Sequence, residues 1–340
     1  MRRRGATVLI GGVLLALLLW QAFFSIPVPY VALGPGPTVN TLGQADKHDV
    51  ISVTGAPVST SKGQLRLTTV SVTSDLTLFE AVKGWLQDDY AVVPRELIYP
   101  PSRTEQQVDQ QNAQEFKDSQ SSAETAALAK LGYSVQVTVR EVKAGSPADG
   151  VLKAGDVITA VDGTPVTAAA KLTDLIRAKP AGTPRTFAYT RDGAAGTATI
   201  TPRTEGDTPR IGVTVESKQP HPFQLKIDLD KIGGPSAGLM FTLGIIDKLD
   251  PADLTGGQVI AGTGTIDDQG KVGPIGGIPQ KLVAAKRDGA TVFLTPAANC
   301  AEAMSSAVPG LPMAKVATLD DALSALQAVR EHRQPALCTR

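Results

Sequence analysis

An uncharged run at the start of the chain limits what the rest can become. After Met1-Arg2-Arg3-Arg4, the sequence GATVLIGGVLLALLLWQAFFSI carries no charge from Gly5 to Ile26. At about 1.5 Å per helical residue, such a run is long enough to cross a bilayer core of ~30 Å. The three arginines would stay on the cytoplasmic side. The competing reading is a cleaved signal peptide, whose apolar core is usually about 7–15 residues and precedes a small-residue cleavage site. This run is longer and continues into FFSIPVPYVALGPG without such a site. The sequence therefore predicts an uncleaved transmembrane signal anchor over residues 1–27. The remainder is then single-pass, tethered at the cell membrane and extracytoplasmic.

Charge excludes one class of partner. Basic and acidic residues number 33 each in 340, so the chain has no global field for nucleic acid. No metal or cofactor site is expected. The two cysteines, Cys300 and Cys338, permit one disulfide in an oxidising compartment. The alternative is a buried Cys300 and an idle tail thiol.

Residues 28–130 read as a β-rich and helical segment. DVISVTG and QLRLTTVSV alternate with β-branched residues and predict strands. Leu76–Asp89 has apolar residues at helical spacing. SRTEQQVDQQNAQEFKDSQSSAETAALAK is polar, Gln-rich and helix-favouring, and predicts an exposed helical pair or a long arm. Ser59-Thr60-Ser61-Lys62 fits the S-x-x-K of penicillin-binding enzymes, but no S-D-N or K-T-G follows, so it reads as a polar turn.

A module over 131–204 has a clearer pattern. Strands come first, a short helix is expected at Ala148–Leu152, and Asp162-Gly163 marks a tight turn between strands. A second helix is expected at Ala168–Ala178, and two strands close the module. Ser146-Pro147-Ala148, Gly155-Asp156-Val157-Ile158 and Val161-Asp162-Gly163 resemble a PDZ domain. The resemblance implies an extended peptide added to a sheet edge. It places the groove between the strand near Val135–Val139 and the helix at Lys171–Ile176. Leu131, Gly132 and Tyr133 would then line the carboxylate end, with Val135 on the groove strand.

From 205 to 340 strands and helices alternate. Within this segment Gly234-Pro235-Ser236-Ala237-Gly238 spells G-x-S-x-G, the nucleophile-elbow pattern. Three readings compete. In the first, Ser236 is a structural residue at a helix start, where serine commonly caps. A Ser-Asp-His triad needs a histidine after the serine, and of His48, His221 and His332 only His332 follows, in a polar tail. A Ser-Lys dyad needs an amine that is neutral near pH 7, which burial or a helix N-terminus favours. Lys281 follows the apolar loop GPIGGIP, with Pro279 suited to the first turn of a helix.

Gly234–Gly238, Thr263-Gly264, Gly270-Lys271-Val272, Pro274–Gly277 and Lys281–Lys286 together, in this order, resemble the proteolytic domain of Lon-type proteases. The resemblance puts the catalytic serine on Ser236, the catalytic lysine on Lys281 and a supporting threonine on Thr263. Gly234, Pro235 and Ala237 support the turn, and Lys271 and Lys286 are rival bases. No G-x-x-x-x-G-K-[ST] occurs, so the chain carries no P-loop for ATP. The order of parts resembles membrane-anchored PDZ-containing Lon-like proteases. This implies an α+β fold: a transmembrane helix, a PDZ domain and a Lon-type α/β domain, with QLRLTTVSV an early strand of the last. It also implies an ATP-independent serine endopeptidase acting on unfolded or flexible proteins, and homo-oligomers of the kind that Lon-like domains form. The alternative is a PDZ scaffold with an inactive or latent protease-like domain.

Overall fold

A computed structural model describes residues 2–229 and 232–339, with side chains described from residue 10 onward. Along the chain the first segment supplies helix α1 (Arg2–Ser25), strands β1 (Tyr30–Asn40) and β2 (Gln64–Thr73), helix α2 (Leu78–Trp85), strand β3 (Ala91–Pro94) and helix α3 (Glu105–Lys130). The middle segment supplies β4 (Gln136–Val142), β5 (Val157–Val161), α4 (Ala169–Arg177), β6 (Arg185–Arg191), β7 (Ala194–Ile200) and β8 (Val213–Lys218). The last segment supplies α5 (Gly238–Leu249), β9 (Val259–Gly262), α6 (Ile278–Arg287), β10 (Val292–Pro296), α7 (Cys300–Ser305), β11 (Met313–Val316) and α8 (Leu319–Arg330).

The chain divides into two compact units. One unit is discontinuous, Met1–Ala127 with Leu225–Arg340, and the other is Leu128–Gln224. The discontinuity follows from strand pairing. In the first unit the sheet runs β11-β10-β9-β2-β1-β3. Strand β2 lies parallel to β9, with Leu65 opposite Ile260 and Leu67 opposite Gly262, so residues nearly two hundred positions apart share one sheet. Strands β9, β10 and β11 are mutually parallel, while β1 is antiparallel to both β2 and β3. Strand β10 reads VFLTP and is buried throughout, as expected of a parallel strand covered on both faces.

Helix α5 is apolar all round and almost wholly buried, the signature of a core helix. Phe241, Leu243 and Ile245 are fully buried, each contributing about 1.5–3 kcal/mol of hydrophobic stabilisation. Helix α6 starts at an N-cap glycine, Gly277, with φ +71°. That left-handed conformation disfavours a residue with a Cβ, and a Cβ there would meet Val70 at 2.5 Å. Pro279 occupies the first turn, where its missing N–H costs no hydrogen bond. The carboxyl of Asp288, beyond the end of α6, accepts from Thr38 on β1 and pairs with Arg66 on β2. These contacts fix how α6 lies on the sheet.

The second unit is a sheet in the order β7-β6-β5-β4-β8, around a core of Val137, Leu152, Ile158, Leu172, Phe187 and Ile200. The Asp162-Gly163 turn has both residues at positive φ, 50° and 78°, as a tight hairpin turn requires. Asp162 also accepts from Arg185, Lys179 and the Thr186 amide, and these donors hold its carboxyl well below the usual range, the Lys179 bond first. Ala148–Leu152, expected as a helix, forms turns instead, because Gly150 takes φ +73° and interrupts the helical run. The unit extends past residue 204 because β8 pairs antiparallel with β4.

Two further expectations change. The Gln-rich stretch is one helix, α3, neither a helical pair nor a free arm. Phe116, Ser119, Ala123 and Ala126 are buried along it, a stripe at helical spacing. At the N-terminus the apolar run is helical, as α1. Part of the expected span falls on residues 5–9, whose side chains lie outside those described. No helix among the described residues is long and apolar enough to cross a membrane.

Candidate active site

Ser236 sits in the turn that opens α5, immediately before Ala237, the N-cap residue. Gly234 reaches this turn with φ +83°, a value that suits glycine. The main-chain carbonyl of Ser236 accepts from two donors, the Gly264 amide at 2.9 Å and the Thr263 hydroxyl at 3.0 Å. Thr263 follows β9, is 1% exposed, and has its own amide held by the Leu294 carbonyl of β10. The central sheet therefore carries the threonine, and the threonine holds the serine's backbone.

Lys281 comes from the other side. It lies in the first turn of α6, and its amide donates to the Gly277 carbonyl at 3.1 Å. The side chain is 3% exposed, and its Nζ donates to Thr263 Oγ1 at 3.0 Å. Thr263 thus links the lysine amine to the serine main chain. Burial lowers the Lys281 pKa from its ordinary 10.5 to about 8, with the Glu302 carboxylate acting in the opposite direction. At pH 7 roughly a tenth of the amines are then neutral, against about one in a few thousand for an exposed lysine.

Glu302 belongs to α7, which also shapes the loop before α6. Asn299 accepts from the Ile275 amide at 3.0 Å, donates to the Ile275 carbonyl at 2.9 Å, and donates to Glu302 at 3.1 Å. The next residue, Cys300, is joined to Cys338 by a disulfide with a Cα–Cα distance of 5.2 Å. The bonded tail lies along β11, where the Lys315 amide donates to Ala336 and the Cys338 amide to Met313.

The rival bases stand elsewhere. Lys271 is exposed on a bridge with Thr318, and Lys286 is exposed with its Nζ on the Gly310 carbonyl. His332 is exposed beyond the end of α8, His48 is exposed on a short strand, and His221 packs against Tyr133 and Phe223. Ser61 and Lys62 of the S-x-x-K stretch bind Asp247 and Asp253, consistent with a turn.

In the second unit the expected groove is displaced. Strand β4, assigned the peptide edge, is interior: β5 pairs with one side and β8 with the other. It has no unpaired edge to offer. Leu131 and Gly132 form the turn after α3, Tyr133 stacks with the rings of His221 and Phe223, and Val135 precedes the paired strand. The edge strand on this side of the sheet is β8. Between β8 and α4 lies a cavity of about 380 Å³, lined by Leu172, Ile176 and Ile211 and flanked by Arg177 and Arg210. The signal for it in the sequence is Ile211-Gly212-Val213, an apolar-Gly-apolar step entering a strand.

Comparison with known proteins agrees with both parts. Residues 107–201 match the PDZ domain family, and residues 230–326 match the Lon protease (S16) C-terminal proteolytic domain. The Lon protease of Koribacter versatilis is 29% identical over 120 residues, 34% of this chain and 14% of that protein. The Lon protease of Roseiflexus castenholzii is 42% identical over 66 residues, 19% of this chain and 8% of that protein. The chain thus spans only a small part of the length of these relatives. The PDZ domain of an SdrC-like protein from Listeria monocytogenes is 33% identical, covering 23% of this chain and 85% of that one, with a TM-score of 0.22. With a PDZ match in one segment and a Lon-type proteolytic match in the next, the chain is similar to a PDZ-containing Lon-like protease.

Proposed function

We propose that the chain is an ATP-independent serine endopeptidase that works outside the cytoplasm through a Ser236–Lys281 dyad. One observation carries the reading: a buried lysine amine of lowered pKa, bound to the hydroxyl that holds the Ser236 backbone. In this mechanism Ser236 Oγ attacks the scissile carbonyl and its proton passes to the neutral Lys281 amine. The oxyanion is held by amides at the Ser236 turn and the start of α5, where the first N–H groups of a helix lack intrahelical partners. Lys281 returns the proton to the leaving amine. It then takes one from the water that cleaves the acyl-enzyme.

The substrate class follows from the remaining parts. With no P-loop in the sequence, the reaction is driven without unfolding work and suits unfolded or flexible chains. The edge strand β8 takes an extended peptide by strand addition, and the arginines beside the cavity suit a terminal carboxylate. The Cys300–Cys338 disulfide favours an oxidising compartment. The exposed apolar residues of α1, among them Leu14, Leu18 and Trp20, favour a tether at the membrane.

The test is labelling of the full chain by a serine-reactive fluorophosphonate, with and without a peptide ending in an apolar residue. Labelling in the wild type and none in Ser236→Ala is expected. No labelling of the wild type under either condition contradicts the reading and leaves a binding scaffold.

A further inference from the structure

Helix α3 matches no expected part of a catalytic apparatus, yet one face of it lies on the serine turn. Asn112, Phe116, Ser119 and Ala123 fall on that face by helical spacing. The Asn112 carbonyl accepts from the Gly234 amide at 2.9 Å. The Ser119 hydroxyl donates to the Pro235 carbonyl at 3.0 Å. The Phe116 ring meets Phe241 of α5 edge-on at 5.7 Å, and the Ala123 carbonyl accepts from Thr242 of α5. Ser119 itself is only 6% exposed.

The Pro235 carbonyl belongs to the peptide plane that carries the Ser236 amide. A peptide plane is rigid, so holding its oxygen also sets the direction of its N–H. The following plane is held at the Ser236 carbonyl by Thr263 and Gly264. With both planes fixed, φ and ψ at Ser236 are fixed, and so is the direction in which its Cβ leaves the chain. Two of these groups, Thr263 and Gly264, come from the sheet side. Among the described residues, Ser119 holds the plane on the N-terminal side.

We propose that Ser119 is a positioning residue for the reaction, its hydroxyl setting the Pro235–Ser236 peptide so that Ser236 is aimed at substrate and its amide at the oxyanion. The inference rests on the reading of Ser236 as nucleophile. It makes the polar helix α3 a working part of the proteolytic unit.

The test is Ser119→Ala in the full chain, beside Ser236→Ala and Ser121→Ala, an exposed serine on the same helix. Kinetics on an unfolded protein or peptide substrate are measured with melting temperature and pH profile. Misplacement of a reacting group by about 1 Å can cost on the order of 100-fold. Ser119→Ala is therefore expected to lower kcat by about 10- to 100-fold. KM, the melting temperature and the midpoint of the pH profile should stay near wild type, because the surroundings of Lys281 are untouched. Ser121→Ala should match wild type. Wild-type kcat in Ser119→Ala, with Ser236→Ala inactive, overturns this inference alone. So does a rate loss that tracks a lowered melting temperature, which marks a purely structural role. Full activity in Ser236→Ala overturns the underlying reading.

Discussion

The Lys281 amine donates to the Thr263 hydroxyl at 3.0 Å. The same hydroxyl donates onward to the Ser236 carbonyl at 3.0 Å, so one threonine links the two residues of the proposed dyad. Thr263→Val keeps the shape and removes the hydroxyl. It leaves the buried amine without its partner and frees one donor from the Ser236 carbonyl. The expected outcome is a kcat lower by about 10- to 100-fold, the size usual for a lost positioning contact, in a chain that still folds by circular dichroism.

As the proposed base, Lys281 with its pKa of about 8 gives the rate a definite pH dependence. The neutral fraction of Lys281 grows as pH rises through about 8, so kcat/KM should climb with one proton and level off above it. Glu302 is the charged group that raises the amine's pKa against burial. Glu302→Gln should therefore move the midpoint of the limb to lower pH. A pH–rate profile of the two proteins checks both statements.

Burying that amine also costs stability. Folding lowers its pKa from 10.5 to about 8, a difference worth about 3 kcal/mol. The penalty is complete below about pH 8 and fades as pH rises toward 10.5, where the unfolded chain also loses the proton. Lys281→Met should thus be inactive and yet melt at a higher temperature than wild type at pH 7, with a gain that shrinks above pH 9. Thermal melts at the two pH values read this directly.

The displaced groove separates two sets of residues. Arg210 flanks the cavity between β8 and α4, whereas Tyr133 belongs to a ring cluster with His221 and Phe223. Arg210→Glu should weaken binding of a peptide with a free C-terminal carboxylate by about fivefold, on the order of 1 kcal/mol for an exposed charge. Tyr133→Ala should leave that affinity near wild type. Fluorescence anisotropy with a labelled peptide measures both.

The Cys300–Cys338 bond closes a loop over a sequence separation of 38, which by loop entropy is worth about 4 kcal/mol. Cys338→Ser should lower the denaturant midpoint accordingly and free the tail from β11. Denaturation with and without reductant distinguishes the bond from the substitution.

Much of the site was legible because it is local. The G-x-S-x-G step, the glycine before α6 and the proline in its first turn each prescribe backbone, and the apolar loop before Lys281 anticipates its burial. Thr263 was legible only through resemblance to the Lon-type domain, since a threonine after a strand has no signature of its own. The groove was misplaced because an edge depends on which strands pair, and β8 returns from more than seventy residues away to cover β4. Helix α3 was read as exposed because glutamine and serine dominate it, and a buried stripe as narrow as Phe116–Ser119–Ala123 barely alters its average polarity. The apolar start was legible as a helix, and no helix among the described residues is long and apolar enough to cross a membrane.

The measurement that bears most directly on the dyad is cleavage of an unfolded casein by the full chain without nucleotide, comparing wild type, Ser236→Ala and Lys281→Ala. The account expects cleavage by wild type and a loss of about a thousandfold or more in each variant, since members of one catalytic unit fail together. Wild-type rates in Lys281→Ala would contradict it.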